Sequence, residues 1–97
     1  MAKAYIYAEV EVTDPAGFES YRDGVPATVE AFGGRYLVRG GDPEVLEGDR
    51  GSTRAVILEF ESRARALEWY NSADYSGLKA IRQRTAKTTA FVLSGND

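Results

Sequence analysis

The 97-residue chain contains no cysteine and no histidine. The missing thiol excludes disulfides, thiolate nucleophiles and cysteine-ligated metals. The missing imidazole removes the commonest metal ligand and the side chain that most often acts as a general base near neutral pH. We therefore expect a protein that uses no metal, haem or other cofactor, and that would carry any catalytic proton on a carboxylate or a phenol.

The chain also lacks an excess of basic residues and a long apolar run. Its 15 acidic and 12 basic residues give a net charge of −3, which argues against a protein that follows nucleic-acid phosphates with a basic face. No stretch approaches the roughly 18 apolar residues of a membrane span. Glu9 and Glu11 interrupt the N-terminal run where a signal peptide would be apolar. We expect a cytoplasmic protein that binds neither nucleic acid nor membrane.

One small globular domain over residues 1–97 accounts for the length and composition of the chain. Hydrophobic residues make up 43% of it, which is typical of globular rather than disordered chains. A domain of this size buries only about 60 to 70% of the surface that its unfolded chain exposes. A monomer would therefore be modestly stable.

The chain begins with the pattern of a strand followed by a helix. Residues 5–12 (YIYAEVEV) alternate with the period of two that marks a strand with one apolar face. Asp14 and Pro15 then suit the N-cap and the first position of a helix. Gly24 and Pro26 weaken the middle of this helix, where we expect a kink. Its apolar stripe, at spacings of three and four, consists of Phe18, Tyr21, Val25, Val29 and Phe32.

Glycines and capping residues divide the rest of the chain. Gly33 and Gly34 are expected to end the first helix by adopting positive φ without steric cost, and Ser62 is expected to cap a second helical segment. The remaining strands are expected at residues 35–41, 52–61 and 88–95, with a short edge strand at residues 44–48 (EVLEG).

The stretch EWYNSADYSGLKAIRQR, residues 68–84, crowds large aromatic side chains and two arginines around a helix break. Asn71 and Ser72 start a helix better than they continue one. We therefore expect one helix to end near Asn71 and another to begin at Ser72. In the second helix Arg82 shares a face with Tyr75, which points Arg82 partly into the protein interior.

Arg82 and Arg39 are the two charged residues that these patterns place among apolar ones. A half-buried arginine needs a carboxylate, carbonyl oxygens or a bound anion to offset its desolvation. We therefore expect a pocket for a small anionic ligand, with an aromatic wall. Its residues are Arg39, Gly40, Trp69, Tyr70, Tyr75 and Arg82.

The same residues also have purely structural interpretations. The three aromatic side chains are common core residues. Arg82 could pair with a carboxylate, and Gly40 with Gly41 is typical of a turn or bulge, since no lysine and serine or threonine follow as they would in a phosphate loop. The carboxylates in question are Glu9, Glu11 and Asp74.

Two β–α–β units in so short a chain favour an α+β fold. The ferredoxin-like βαββαβ arrangement has an antiparallel sheet with both helices on one face. The other face would carry Tyr5 and Tyr7 with either Ala55 and Ile57 or the opposite set. This is more apolar surface than a monomer usually exposes, and we expect a homodimer to cover it.

A resemblance to a known family is carried by the segments TDPAGFESYRDGVPATVEAFGGRYLVRGG, EVLEG, AVILEF and WYNSADYSGLKAIR. Together they resemble the bacterial family called domain of unknown function 1330, of the dimeric alpha-beta barrel superfamily. The resemblance extends from Tyr5 to about Leu93. It implies ferredoxin-like subunits that pair sheet to sheet into a barrel. It implies no particular activity, because the family is uncharacterised and the superfamily includes cofactor-free monooxygenases, lactone isomerases, haem enzymes and binding modules.

The expected pocket supports two functional hypotheses. In the first, the protein is a metal-free enzyme that acts on a small carboxylate or an enolisable organic molecule. Arg39 and Arg82 would hold the negative oxygen, and a carboxylate or a tyrosine with a shifted pKa would carry the proton. In the second, the same pocket serves a non-catalytic small-molecule-binding or scaffold homodimer. Neither hypothesis assigns a catalytic residue.

Overall fold

Four antiparallel strands form one sheet, and three helices pack on one of its faces. The structure is a computed structural model that describes residues 2–51 and 53–96. The strands are β1 (Ala4–Val12), β2 (Arg35–Gly40), β3 (Arg54–Phe60) and β4 (Ala86–Ser94), and the helices are α1 (Pro15–Ala31), α2 (Arg63–Tyr70) and α3 (Ala73–Thr85). The strand order β2-β3-β1-β4 is that of the ferredoxin-like fold, which confirms the α+β prediction.

Side-chain caps begin each helix where the sequence predicts them. Asp14 Oδ1 accepts a hydrogen bond from the Gly17 amide at 3.1 Å. Ser62 caps α2 through the Arg65 amide in the same way, at 3.1 Å. Ser72 Oγ accepts from the backbone N–H three residues on at 3.2 Å, so the predicted break between α2 and α3 is confirmed. α1 continues through Pro26 without a break in its helical run.

The two glycines after α1 are required for different reasons. Gly33 has φ +76°, as predicted for a residue that ends a helix. The same prediction is wrong for Gly34, which does not have positive φ. A Cβ at Gly34 would lie 2.5 Å from the Phe60 ring, so the absence of a side chain there lets the chain pass close to β3.

The predicted edge strand at residues 44–48 is wrong. These residues form an exposed loop between β2 and β3. Gly40 and Gly41 have φ of +86° and +64°, and these angles turn the chain out of the sheet. A strand needs a neighbouring backbone to pair with, and this segment pairs with none. Val45 and Leu46 stay 50% and 88% exposed as a result.

The larger of two core clusters lies between the helices and one end of the sheet. Phe60 and Val29 are each only 1% exposed. The Phe60 ring packs on Trp69 with 5.6 Å between ring centroids, and Trp69 Nε1 donates to Thr28 Oγ1 at 3.0 Å. In the predicted stripe of α1, Val25 and Val29 belong to this core, and Tyr21 and Phe32 pack against it. Phe18 is buried in a second cluster with Val10 and Ala86.

The opposite face of the sheet is apolar and uncovered. Tyr7 lies opposite Ile57 in β3 and Phe91 in β4, and its ring stacks on Phe91 at 5.3 Å between centroids. Because side chains alternate along a strand, Ile57 shares this face with Tyr5 and Tyr7, while Val56 points to the helices. The register therefore selects the first of the two sets that the sequence left open. We call this surface the open face.

Glu9 and Glu59, two carboxylates on the open face, are paired within the chain. Arg50 Nη2 lies 2.5 and 2.6 Å from the two carboxylate oxygens of Glu9. Arg35 Nε donates to Glu59 Oε1 at 2.8 Å, and Lys3 Nζ is 3.6 Å from the same oxygen. The hydrogen bond from Arg35 holds the pKa of Glu59 below its ordinary value.

The contact at Gly34 predicts opposite effects for two glycine-to-alanine changes. Gly34→Ala should lower the free energy of unfolding by about 1–3 kcal/mol, because its Cβ must displace a buried ring. Gly77→Ala should raise it by about 0.5–1 kcal/mol, since a Cβ there meets no atom within 4 Å and alanine favours the helix. Urea unfolding of both variants measures the difference. Equal effects would contradict the close approach of the chain to Phe60.

Candidate functional site

A cavity of about 350 Å³ opens between the helices and the sheet. Its volume lies within the roughly 300–1,000 Å³ typical of small-molecule sites. All six sequence-predicted site residues lie on its wall: Arg39, Gly40, Trp69, Tyr70, Tyr75 and Arg82. Thirteen further lining residues were not predicted: Ile6, Ala8, Val10, Phe18, Tyr21, Arg22, Val25, Tyr36, Arg54, Val56, Leu58, Thr88 and Ala90.

Small side chains on the sheet create this space. Ala8 of β1 lies opposite Ala90 of β4, and both line the cavity. Two residues earlier in β1, Ile6 lies opposite the larger Leu58 and Val92, where the core is filled. Two alanines at helix-facing positions of adjacent strands are the sequence signal that could have located the cavity.

Arg82 is the most deeply placed charge in the cavity. It is only 7% exposed, and its Nη2 lies 3.4 Å from the Tyr70 hydroxyl oxygen. Within residues 2–51 and 53–96 its Nε has no hydrogen-bond partner, and no carboxylate lies within ion-pair distance. Its position in the last turn of α3 offers partial compensation, since the carbonyl end of a helix favours a cation.

The three carboxylates considered as partners of Arg82 lie elsewhere. Glu9 points to the open face and pairs with Arg50. Glu11 and Asp74 are exposed, and none of the three lines the cavity. The structural interpretation of Arg82 as one half of an ion pair is therefore wrong for the residues that the structure describes.

Phenol groups surround the guanidinium of Arg82. The hydroxyl oxygens of Tyr21 and Tyr75 are 2.8 Å apart. Burial raises the pKa of Tyr21, and the neighbouring Tyr75 raises it further. Burial also raises the pKa of Tyr75, against the opposing effects of Tyr21 and Arg82, and it raises the pKa of Tyr36. These phenols are neutral near pH 7, so they can donate hydrogen bonds but cannot act as bases.

Arg39 lies at the exposed mouth of the cavity and has a protein partner. Its Nη2 donates to the backbone oxygen of Arg22 at 2.5 Å, and its guanidinium lies over the Tyr36 ring at 4.9 Å from the centroid. The Arg22 oxygen would normally accept from the residue four positions on, which is Pro26 and has no N–H. Arg39 therefore satisfies a carbonyl that the proline leaves free.

The aromatic wall is also part of the core. Trp69 and Tyr75 are each 2% exposed, and their ring centroids are 4.1 Å apart. Tyr70 is less buried and lies under Lys79, whose Nζ is 4.3 Å from the ring centroid. The same aromatic side chains therefore pack in the core and line the cavity, so the core interpretation and the pocket interpretation of the sequence both apply to them.

Thr88 supplies a second polar atom without a partner. Its Oγ1 and Arg82 Nε are the two buried side-chain polar atoms that lack a hydrogen bond in the described part of the chain. Both residues line the same cavity. Buried polar groups are normally satisfied, so this cavity is where a bound molecule would complete the hydrogen bonding of the protein.

Among the described residues, no three acidic side chains come together as a metal site would require. In the same part of the chain, no helix combines the length and the apolar character that crossing a membrane needs.

The sequence matches the family described as Domain of unknown function (DUF1330) over residues 3–96. No curated protein gives a significant match.

Solved structures share the fold. A protein of unknown function from Rhodopseudomonas palustris superposes with a TM-score of 0.78 at 17% identity, over 99% of this chain and 84% of the other. A proposed antibiotic biosynthesis monooxygenase from Caulobacter crescentus gives 0.68 at 16%, over 99% and 92%. SnoaB, a cofactor-independent oxygenase from Streptomyces nogalater, gives 0.59 at 11%, over 100% and 96%. At such identities the likeness shows the fold alone.

The bond between Arg39 and the Arg22 carbonyl predicts that two changes interact. Arg39→Met should lower the free energy of unfolding by about 1 kcal/mol. In a Pro26→Ala background, Arg39→Met should lower the free energy of unfolding clearly less, because the alanine N–H can then donate to the Arg22 carbonyl. A double-mutant cycle measured by urea unfolding gives the coupling. Equal costs of Arg39→Met in the two backgrounds would show that the proline does not create the need for Arg39.

Proposed function

This chain belongs to the family described as Domain of unknown function (DUF1330), and we propose a function for it from the residues that line its cavity. The protein binds a small organic anion with an aromatic or apolar body between helix and sheet. The observation that carries this proposal is that Arg82 Nε and Thr88 Oγ1, both buried and without partners in the described chain, line one cavity. A carboxylate or an enolate oxygen would accept from the guanidinium, and Thr88 could bond a second polar atom of the same molecule.

The rest of the wall suits the body of such a ligand. Trp69, Tyr75 and Phe18 offer ring faces, and Val10 and Val56 offer aliphatic surface. Ligand sites typically combine an apolar lining with a few polar groups that fix orientation. The affinity would come from burying the apolar body, and the selectivity for an anion would come from Arg82.

This arrangement of side chains supports catalysis that needs no metal. If the bound molecule loses a proton from the carbon beside its carbonyl group to water at the open mouth of the cavity, negative charge develops on the carbonyl oxygen. Arg82 and the hydroxyl group of Tyr70 would stabilise that charge from the wall of the cavity. SnoaB, which has the same fold, is a cofactor-independent oxygenase, and this likeness supports the proposal by analogy of fold only.

Binding without catalysis is the second candidate, and one observation favours it. No aspartate or glutamate lines the cavity, and burial raises the pKa of Tyr21, Tyr36 and Tyr75, so no group among the described lining residues is a base near pH 7. Exchange of the α-protons of bound keto acids in D₂O separates the candidates. Exchange that is faster with protein than without it supports the enzyme, and binding without exchange supports the binding protein.

We also propose that the protein is a homodimer joined through the open face. Phe91 and Leu93 there are 49% and 46% exposed, next to the stacked ring of Tyr7. Apolar patches of this kind usually mark an interface. A sheet-to-sheet contact of the obligate type commonly buries about 2,000 Å² or more.

The first prediction from these proposals concerns Arg82. Arg82→Leu should fold at least as stably as the wild type, because removing it leaves no buried carboxylate unpaired and leucine has no desolvation cost. The same change should abolish the rise in melting temperature that small aromatic or aliphatic carboxylates produce in the wild type. Thermal melts with and without a panel of such acids measure both effects.

Two further variants serve as controls for Arg82→Leu. Arg84→Leu removes the same charge from an exposed position of the same helix and should leave the acid-induced shift intact. Ala90→Leu keeps Arg82 but fills the cavity, and should weaken binding. A large loss of stability in Arg82→Leu, combined with no acid that shifts the wild-type melt, would exclude the proposed site.

The second prediction concerns assembly. The wild type should sediment as a dimer at micromolar concentration. Tyr7→Asp should release monomer or cause aggregation, because it places a charge at the centre of the open face. Sedimentation velocity at several concentrations measures this. A wild-type monomer at micromolar concentration would rule out the dimer.

A further inference from the structure

Three more arginines line the cavity that holds Arg82. They are Arg22 of α1, Arg39 of β2 and Arg54 of β3, and none of the acidic residues that the structure describes lines the cavity with them. The chain as a whole has more acidic than basic residues, with a net charge of −3. The concentration of four arginines on one cavity is therefore a feature of this site rather than of the composition.

The three additional arginines form a cluster at the mouth, which we call the mouth cluster. Arg39 donates to the backbone oxygen of Arg22. Gly40, the residue after Arg39, lies opposite Ala55 in the sheet, which places Arg54 beside this end of β2. All three are exposed, whereas Arg82 is buried.

Phenol groups connect the mouth cluster to Arg82 along the wall. The Tyr70 hydroxyl is next to Arg82, the Tyr75 and Tyr21 hydroxyls bond each other, and Tyr36 lies under Arg39. The cavity thus has a buried cation at one end, exposed cations at the other, and aromatic surface with hydroxyl groups between them.

Resting on the proposed function, we infer that the ligand carries two anionic groups, one bound by Arg82 and the other by the mouth cluster. Arg22 Nε lies 4.0 Å from Asp23 Oδ1, and both side chains are exposed, so this contact offsets little of the charge. Arg39 and Arg54 have no ion-pair partner among the described residues. An anion between the guanidinium groups would offset their mutual repulsion. Guanidinium groups bind both carboxylates and phosphates by paired hydrogen bonds. Arg39 uses Nη2 for the Arg22 carbonyl, which leaves its other nitrogens for the ligand. The ligand class is a small dicarboxylate, or a carboxylate that also carries a phosphate.

Matched pairs of acids test the second anionic group. Terephthalate and its monomethyl ester have nearly the same size and shape and differ by one charge, and adipate with its monomethyl ester is a flexible equivalent. Isothermal titration of the full-length protein at fixed ionic strength gives a Kd for each acid. We expect the diacid of at least one pair to bind about five to ten times more tightly than its ester, the scale of one or two exposed ion pairs. This preference should shrink as salt is added.

Variants assign the preference to the mouth cluster. Arg54→Gln should bring the ratio of the two affinities toward one. Arg84→Gln removes the same charge from a position outside the cavity and should leave the ratio unchanged. Arg82→Leu should weaken the binding of both members of each pair. 4-Phosphonobenzoate compared with terephthalate then shows whether the mouth favours a phosphate-like group or a carboxylate.

The outcomes separate this inference from the proposed function. Two results would contradict a second anionic group on the ligand while leaving the anion site at Arg82 supported. In the first, the monoesters bind through Arg82 but the wild type prefers no diacid. In the second, Arg54→Gln leaves the preference for the diacid intact. If no acid binds and Arg82→Leu changes nothing, both the inference and the proposed function fail.

Discussion

The dense packing of the helices on one end of the sheet is the constraint on which the rest of this structure depends. Phe60 and Val29 are almost fully buried there, and Gly34 is without a side chain so that the chain can pass the Phe60 ring. A chain of 97 residues has little core to spare. A second, smaller cluster of Val10, Phe18 and Ala86 packs toward the other end. Between the two clusters the sheet carries only small side chains at Ala8 and Ala90, and that part of the sheet becomes a wall of the cavity.

The electrostatics of the cavity depend on the lack of a carboxylate among its described lining residues. A buried arginine usually faces a carboxylate, and here it faces neutral phenols whose pKa values burial raises further. The phenols bring no negative charge near pH 7, so the attraction of Arg82 for an anion is not cancelled within the described part of the protein. Its place at the C-terminal turn of α3 reduces the cost of burying the charge without neutralising it.

Local rules in the sequence predicted most of the fold and part of the site. Capping at Ser72 placed the break between α2 and α3, and helical spacing pointed Arg82 inward, because both depend on residues within a few positions of each other. The edge strand at residues 44–48 was wrong because pairing depends on a neighbouring strand rather than on the segment itself. Tyr36 and Arg54 were missed for a related reason: periodicity tells which face a side chain is on, but not which part of that face the helices leave unfilled.

The pairing of charges on the open face affects how two copies of this surface can meet. In a contact with two-fold symmetry each charge approaches the same surface of the other copy, so an unpaired carboxylate on this face would be brought close to its own equivalent. Glu9 and Glu59 avoid this because each is already held by an arginine of its own chain. The two carboxylates nearest the aromatic centre of the open face are therefore neutralised within the chain, and Glu11, farther along β1, lies opposite Lys87. Neutrality of this kind removes like-charge repulsion between identical faces, and it leaves shape and apolar area, rather than charge attraction, to decide how tightly they associate.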